Sequence, residues 1–315
     1  MRSALEASSG AGRGDVAFKV LAVGSGVTVL AILALITLST AWESWPVFQQ
    51  QGISFITSDN WNPNAGEFGA RAFIYGTLLV SLIAIVMAVP VSLGIALFST
   101  EIAPRRVRGG IGYVIDLLAA IPSVVYGLWG VLVLAPNIAP IYQSIADSVG
   151  TWPVFSLFFG APVSGTSYMT AGIILAFMIT PIITSLSREI IHTVPSPQRE
   201  AALALGATRW EMIRGAIFPW SRGGITGAVM LGLGRAMGET IAVALVIGSS
   251  PQITTRLFAS GDAMAGYIAN QFSEASGIFR SALIALGLVL FLVTIVVNVL
   301  AERIITGFDR RMQQA

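Results

Sequence analysis

Six long apolar runs constrain this chain more than any other feature of its sequence. Crossing the hydrocarbon core of a bilayer as a helix takes about 20 residues. Only 11% of the residues are charged and the mean hydropathy is +0.79, whereas an ordinary globular domain carries roughly 25% charged residues. The sequence therefore predicts an all-α polytopic membrane protein with about six transmembrane helices. The predicted segments are Val20–Trp42, Ala72–Phe98, Ile111–Ala135, Met169–Ser187, Gly223–Ser249 and Ser281–Ala301.

A shorter apolar run, Val154–Ala161, lies between the third and fourth segments. It is too short to span a bilayer, and its aromatic content is typical of an interfacial or re-entrant element. The fourth segment is itself short and contains Pro181, which predicts a kink or a tilt.

The distribution of positive charge predicts the orientation of the chain. With the N-terminus inside, 14 of the 18 Lys and Arg residues fall on the cytoplasmic side. Only Arg71, Arg256 and Arg280 fall outside, and Arg235 lies within a span. Cytoplasmic loops carry an excess of Lys and Arg, so both termini are predicted to be cytoplasmic.

Several classes of function are excluded by what the sequence lacks. There is no cysteine, and His192 is the single histidine, so thiol catalysis and multi-histidine metal sites are excluded. The single lysine, Lys19, is followed by Val20, which rules out a Walker A phosphate loop. No basic stripe with interleaved aromatics is present, so nucleic-acid binding is not expected.

The loop between the fourth and fifth segments, Arg188–Arg222, has the local chemistry of folded structure. Ser196-Pro197 predicts an N-cap followed by proline at the first helical position, and Gly206 predicts a left-handed helix end. Thr208–Glu211 fits a capping box, and the second short helix is predicted to end near Pro219. Apolar residues in this loop need a partner surface or the membrane interface: Leu203, Leu205, Trp210, Met212 and Ile213.

The fifth segment carries Arg235 and Glu239 near the predicted midplane of the bilayer. An unpaired arginine there costs at least about 2.5–3.5 kcal/mol, so it should face a polar interior. The i,i+4 spacing predicts that both groups share one helix face, in the less favourable order for an ion pair within a helix. A guanidinium at a dry seam suits a tetrahedral oxyanion; the alternative is a buried ion pair that only orients packing.

Glycines surround this pair at four-residue spacing. Gly223 and Gly227 form one small-x-x-x-small pattern, and Gly234 and Gly238 form another that brackets Arg235. Such patterns allow helices to approach closely in a membrane. The sequence therefore predicts a helix–helix seam at this face of the fifth segment.

At this point the chain resembles the permease subunits of ABC importers, in the type I-like fold. Their signature loop is matched by Glu200-Ala201-Ala202, Gly206 and Pro219 at the family spacing, with Ala216 and Phe218 replacing the family's Ile and Leu. In that family the loop is a coupling helix that docks on a separate ATPase subunit. The resemblance implies that Arg188–Arg222 is a coupling loop, with Glu200, Ala201, Ala202, Gly206 and Pro219 as its coupling residues.

The resemblance extends to the phosphate-specific subset of these permeases. The segments that carry it are Ile121–Gly127, Phe73–Pro90 and Gly234–Thr240, whose Arg235 and Glu239 match the charged pair implicated in passage of phosphate. The implied partners are a second, PstA-like permease, two PstB-like ATPase subunits, and an extracytoplasmic PstS-like phosphate-binding protein, in the bilayer of a prokaryotic cell membrane. The chain itself would bind no cofactor, and ATP and Mg²⁺ would be used by the ATPase subunits.

These interpretations divide the chain into three parts. Residues 1–18 are predicted to be a cytoplasmic, disordered leader, residues 19–303 the transmembrane permease domain with its coupling loop 188–222, and residues 304–315 a cytoplasmic tail. Residue chemistry alone does not separate phosphate from sulfate or molybdate. An ATPase-independent channel or carrier is the alternative from another class, and the loop geometry argues against it.

Overall fold

A computed structural model describes residues 13–150 and 152–313, and their regular structure is helical. The one β feature there is an isolated antiparallel bridge between Asn62 and Glu67, so the all-α prediction is confirmed. Three π-helical turns, Phe98–Ile102, Gly130–Leu134 and Ile213–Ile217, adjoin the α-helices. The α-helices are α1 Arg13–Gln51, α2 Ser54–Thr57, α3 Arg71–Leu97, α4 Arg105–Ala120, α5 Ser123–Trp129, α6 Ala135–Ser148, α7 Ser156–Phe159, α8 Tyr168–His192, α9 Ser196–Ala204, α10 Arg209–Met212, α11 Phe218–Met237, α12 Ile241–Val246, α13 Met264–Gln271 and α14 Gly277–Gln313.

Five continuous helical stretches in the described residues are long and apolar enough to cross a membrane. Four correspond to α1, α3, α8 and α14, at positions close to the predicted segments. The fifth joins α5 and α6 through a π-turn. The stretches are Val16–Gln51, Arg71–Ile102, Ser123–Ser148, Tyr168–His192 and Gly277–Arg303.

The third predicted segment, Ile111–Ala135, is wrong in its boundaries. The chain leaves the helical conformation at Ile121 and Pro122, with ψ angles of 126° and 142°. Proline disfavours the helical region for the residue before it, so α4 ends there and a new helix begins at Ser123. The continuous stretch is Ser123–Ser148 rather than Ile111–Ala135.

The fifth predicted segment, Gly223–Ser249, is helical on both sides of a break. α11 ends at Met237 and α12 begins at Ile241, with Gly238, Glu239 and Thr240 between them. Glycine is the residue that loses most conformational entropy in a helix. The backbone N–H of Ala242 donates to Glu239 Oε1 at 3.4 Å, so the Glu239 side chain satisfies a backbone donor at the start of the new helix.

The core of the molecule lies where α3 packs along α8, with α11 and α12 against them. Small residues allow the close crossings. A Cβ at Gly127 of α5 would lie 2.9 Å from Ala242 Cα of α12, and one at Gly130 would lie 2.7 Å from Val246 Cγ1. These positions fix where the short helix α12 sits in the bundle.

Two buried clusters mark opposite ends of α3, which at 1.5 Å per residue is about 40 Å long. At its start, Trp61 packs edge-on against Phe68, Phe73 and Tyr267; we call this the aromatic end. At its finish, the second cluster joins α3 and α8 to the loop that follows α8; we call this the loop end. The buried members of that cluster are Ala96, Ile191, Val194, Met212, Ile213 and Ile217.

The helices at the two ends of the chain extend into the predicted leader and the predicted tail. Residues 1–12 of the predicted leader lie outside the described residues, but residues 13–18 belong to α1 rather than to a disordered segment. Helix α14 continues through most of the predicted tail, to Gln313. Helices α1 and α14 therefore extend beyond the apolar stretches that are long enough to cross a membrane, Val16–Gln51 and Gly277–Arg303.

Candidate functional site

The loop end carries the predicted helix–corner–helix. Helix α9 ends in a left-handed turn at Gly206, whose φ is +85°. The Ala207 N–H donates to Ala202 O at 3.1 Å and the Gly206 N–H to Leu203 O at 3.0 Å, the two bonds of a Schellman motif. The predicted capping box is also present, since Thr208 and Glu211 each accept from the other's backbone N–H. Both predictions are confirmed.

Two details of this loop were predicted wrongly. Ser196 is the first residue of α9 rather than its N-cap, and no side-chain cap bond forms there. The second short helix does not end near Pro219; the π-turn Ile213–Ile217 connects α10 to α11, and Pro219 lies in the first turn of α11. Proline is tolerated in a first turn because its missing N–H has no obligatory partner there.

The apolar side chains of the loop divide between two surfaces. Met212 and Ile213 are buried in the loop-end cluster, and Ala202 packs against it. By contrast, Leu203, Leu205 and Trp210 are exposed, Leu205 to 90%. Burying such side chains stabilises by roughly 1.5–3 kcal/mol each, and the outer face of the loop leaves these three exposed to its surroundings.

Four of the five signature residues are exposed, whereas Ala202 packs against the loop-end cluster. Glu200, Ala201, Gly206 and Pro219 are exposed in the single chain. Ala201 and Pro219 line one groove between α9 and the start of α11. The residues that line this groove are Gln198, Ala201, Gly215, Ala216, Pro219, Trp220 and Arg222.

Arg235 and Glu239 do not share one helix face, and that prediction is wrong. Arg235 lies in the last turn of α11 and is exposed, while Glu239 lies beyond the helix end and is 9% exposed. Residues four apart share one face only within a continuous helix. Because α11 ends at Met237, the positions of Arg235 and Glu239 around the helix axis are no longer related in this way. The two charges therefore occupy different environments.

Glu239 borders a cavity of about 10 Å³ where α3, α8 and the α11–α12 break meet. Thr77 and Ser81 of α3 line the same cavity, and the buried Ser81 Oγ has no hydrogen-bond partner. Space of this order holds roughly one water molecule. Sequence reasoning missed Thr77 and Ser81, because single hydroxyl residues in an apolar run carry no distinguishing pattern.

Arg235 lies in an open groove between α11 and α14. The residues that line it are Met230, Leu231, Gly234, Arg235, Asn298 and Glu302. Asn298 Oδ1 is buried and has no hydrogen-bond partner among the residues that the structure describes. The groove thus places a guanidinium, a side-chain amide and the Glu302 carboxylate along one opening of the molecule.

Within the described part of the chain, the glycines predicted to form a seam make no close contact with another helix. A Cβ at Gly223, Gly227 or Gly234 would meet nothing within 4 Å, and one at Gly238 would meet only the carbonyl of Gly234. The seam with α8 is made by another side of α11, where a Cβ at Gly224 would lie 2.7 Å from Ile190 Cγ2 and one at Gly232 would lie 2.7 Å from Ile183 Cδ1. We call Gly223, Gly227 and Gly234, which all lie within α11, the open glycine face; Gly238 lies beyond the end of that helix.

A buried carboxyl near the aromatic end was also missed by sequence reasoning. Asp262 is 3% exposed, and its Oδ1 accepts from the Ala263 N–H at 2.8 Å. Burial raises the pKa of Asp262 to about 7, against the lowering effect of that hydrogen bond. In the sequence this residue looks like an ordinary loop charge.

Most of the chain matches a known family of membrane proteins. Residues 88–314 match the family described as "Binding-protein-dependent transport system inner membrane component". The chain belongs to this family. It is an ABC importer permease and a protein of the bacterial inner membrane, with the helical bundle and exposed loop described above.

Curated relatives cover nearly the whole chain. The phosphate transport system permease protein PstC of Xylella fastidiosa (strain Temecula1) is 44% identical over 300 residues, which is 95% of this chain and 93% of that protein. PstC of Mesorhizobium japonicum is 43% identical, over 94% and 91% of the two chains. PstC of Haemophilus influenzae is also 43% identical, over 91% and 90%.

Solved structures support the fold. A bacterial ABC transporter involved in alginate import has a chain with a TM-score of 0.59 and 17% identity, covering 93% of this chain and 96% of that one. The MetNI methionine ABC transporter in an inward-facing conformation gives a TM-score of 0.52 at 15% identity, covering 75% and 94%. At such identities the likeness concerns the fold alone.

Proposed function

We propose that this chain is the phosphate-translocating permease subunit of an ATP-driven importer. The observation that carries the proposal is the exposed Arg235 on the groove of α11, next to the break that places Glu239 in a buried pocket. Discontinuous membrane helices form substrate sites in transporters because their unwound backbone lines a cavity. The curated relatives are phosphate permeases, and this supports the choice of anion.

Arg235 is suited to the role of anion ligand. A guanidinium binds a tetrahedral oxyanion through two parallel hydrogen bonds. In this chain Arg235 is exposed rather than turned into the bundle, so the anion would pass along the outer side of α11. The open glycine face lies on that same helix and leaves room there for a second permease subunit.

Glu239 would act beside the path rather than as a partner of Arg235. Its carboxylate lies at the start of α12 and in a cavity with Thr77 and Ser81. Keeping the Glu239 carboxylate away from the Arg235 guanidinium removes one competitor of phosphate, although the Glu302 carboxylate lines the same groove. A change in the break at Gly238 would bring the two groups together and favour release of the anion.

The outer face of the loop would receive a separate ATPase subunit. Leu203, Leu205 and Trp210 are exposed apolar side chains, and Glu200 and Gly206 lie on the same surface. The partners are then two ATPase subunits that use ATP and Mg²⁺, a second permease and an extracytoplasmic phosphate-binding protein. Both termini would be cytoplasmic, and this chain would carry no ATPase site of its own.

The test is transport by the reconstituted complex. Vesicles containing the full complex and its binding protein should take up labelled phosphate only with ATP on the loop side. Excess unlabelled phosphate should suppress uptake, while sulfate and molybdate should not. Preferential uptake of sulfate or molybdate would establish the alternative oxyanion, and phosphate uptake that persists without the ATPase subunits would favour a carrier.

A further inference from the structure

A partly buried ion pair connects the predicted coupling loop to the membrane bundle. Arg199 of α9 lies with Nη1 3.2 Å from Glu101 Oε1, and the two side chains are 23% and 8% exposed. Glu101 belongs to the π-turn Phe98–Ile102 that extends α3. Arg199 directly precedes Glu200, at the start of the signature segment.

The same guanidinium reaches a third element. Arg199 Nη2 donates to the carbonyl of Ile191, in the last turn of α8, at 2.6 Å. The planar guanidinium of arginine can donate to a carbonyl through one nitrogen while another nitrogen faces a carboxylate, which a lysine ammonium on a flexible stem does less well. Arg199 therefore joins α9 to the ends of both α3 and α8, the two helices that form the core of the bundle.

Stability alone is a poor reason for this arrangement. Taking two charges out of water costs about as much as their attraction returns, so a buried pair is weak evidence for a stabilising role. The loop is already held by Met212, Ile213 and Ile217, which are buried at the loop end. Within residues 13–150 and 152–313, neither Glu101 Oε1 nor Arg199 Nε has a hydrogen-bond partner, so the pair is an electrostatic contact without a well-directed hydrogen bond at that oxygen.

We propose that Arg199 and Glu101 are positioning residues that transmit movement of α9 to α3 and α8. A displacement of α9 by the ATPase subunit would pull on Glu101 and on the Ile191 carbonyl together, because one guanidinium holds both. Apolar contacts allow sliding, whereas a charged contact at a fixed distance resists separation. This inference rests on the proposed function, since it requires an ATP-driven partner at the loop.

The test separates hydrolysis from transport in the intact complex. Arg199→Gln and Glu101→Gln should each leave the complex assembled and its basal ATP hydrolysis in place. Phosphate transported per ATP hydrolysed should fall roughly tenfold or more, within the range usual for coupling between distant sites. Arg199→Lys keeps the charge without the fork and should recover part of that ratio. Arg105→Gln, which removes an exposed arginine near the same end, is the matched control and should retain the wild-type ratio.

A double variant distinguishes one linked pair from two separate effects. If the residues act as a pair, Glu101→Gln/Arg199→Gln should be no worse than the more severe single variant. Losses that multiply, or a wild-type transport ratio in both single variants, would overturn the inference. So would failure of both single variants to assemble, since the pair would then serve folding. Absence of ATP-dependent phosphate uptake in the wild-type complex would instead refute the proposed function.

Discussion

At the scale of single residues, Arg235 is the side chain on which the proposed transport most depends. It is exposed on a groove with Asn298 nearby, and it is not buried in the chain's own packing. Arg235→Gln should therefore abolish ATP-dependent phosphate uptake while the complex still assembles. The measurement is uptake by reconstituted vesicles together with recovery of the other subunits on purification.

Arg256 offers a matched control, because it is also an exposed arginine but lies in the loop between α12 and α13. Arg256→Gln removes the same charge and should retain uptake. Normal transport by Arg235→Gln would contradict the role given to this residue. Loss of assembly in that variant would show that the arginine serves packing between subunits.

The buried Asp262 makes the stability of the chain depend on pH. Its pKa is raised from 3.8 to about 7 in the folded state by burial, so the folded state binds this proton more tightly than the unfolded state does. The contribution of Asp262 to the free energy of unfolding is fully present below about pH 4, and it is lost as the pH rises to about 7. At pH 8 the loss is on the order of 1–4 kcal/mol.

Asp262→Asn should remove that dependence. Tryptophan-monitored thermal unfolding in detergent should show a higher midpoint than wild type at pH 8 and a similar one at pH 4.5. Asp59→Asn removes an exposed carboxyl before α3. This variant should show the same decrease of the thermal midpoint with rising pH as the wild type. If the thermal midpoint of Asp262→Asn changed with pH as much as that of the wild type, burial of this carboxyl would not be the cause of the pH-dependent stability.

At the scale of elements, the corner between α9 and α10 depends on Gly206. Its φ of +85° is strained by about 1–3 kcal/mol for other residues, and most for β-branched ones. Gly206→Val should distort the outer face of the loop and lower recovery of the ATPase subunit with the complex. Gly109→Val in α4, where nothing lies within 4 Å, should not. Equal recovery in both variants would count against a docking role for this corner.

The two sides of α11 should respond differently to added volume. A Cβ at Gly232 would lie 2.7 Å from Ile183 Cδ1, in a fully buried part of α8, whereas one at Gly227 would meet nothing within 4 Å. Overpacking costs typically 1–3 kcal/mol, so Gly232→Val should lower the thermal midpoint of the isolated chain by several degrees. Gly227→Val should leave that midpoint unchanged and reduce assembly with the second permease. Equal midpoints would contradict the assignment of the two faces.

At the scale of the whole molecule, the chain exposes apolar surface that its own fold does not cover. The most apolar window of Val16–Gln51 is entirely unburied, and α1 packs mainly against α14. In a bilayer this surface faces lipid or a second permease. The aromatic end and the loop end then lie on opposite sides of the membrane.

The orientation predicted from positive charge can be tested directly, because the chain has no cysteine of its own. Leu205→Cys at the loop end and Ala65→Cys before α3 both introduce an exposed thiol. In intact cells without the ATPase subunits, an impermeant maleimide should label Ala65→Cys and spare Leu205→Cys until the membrane is opened. The reverse pattern would place the loop outside and rule out its proposed contact with an ATPase.

Local chemistry is why much of the fold could be predicted from the sequence. Helix α3 follows from an uninterrupted apolar run, and the corner at Gly206 follows from the strong preference of left-handed positions for glycine. Hydropathy, however, is averaged over many consecutive residues, so a break in the helical backbone at one or two of them does not change it. The interruptions at Pro122 and Gly238 therefore appeared as continuous spans.

The sequence by itself determined that the chain is a helical membrane protein with a structured loop and two charges deep in an apolar run. Only the tertiary structure decided that Arg235 faces outward and Glu239 inward, and that Gly232 rather than Gly234 packs against α8. It also decided that Arg199 meets Glu101. The physical reason is that helix phase and sequence spacing govern only residues within one continuous helix. Which face becomes buried depends on neighbouring helices that are distant along the chain.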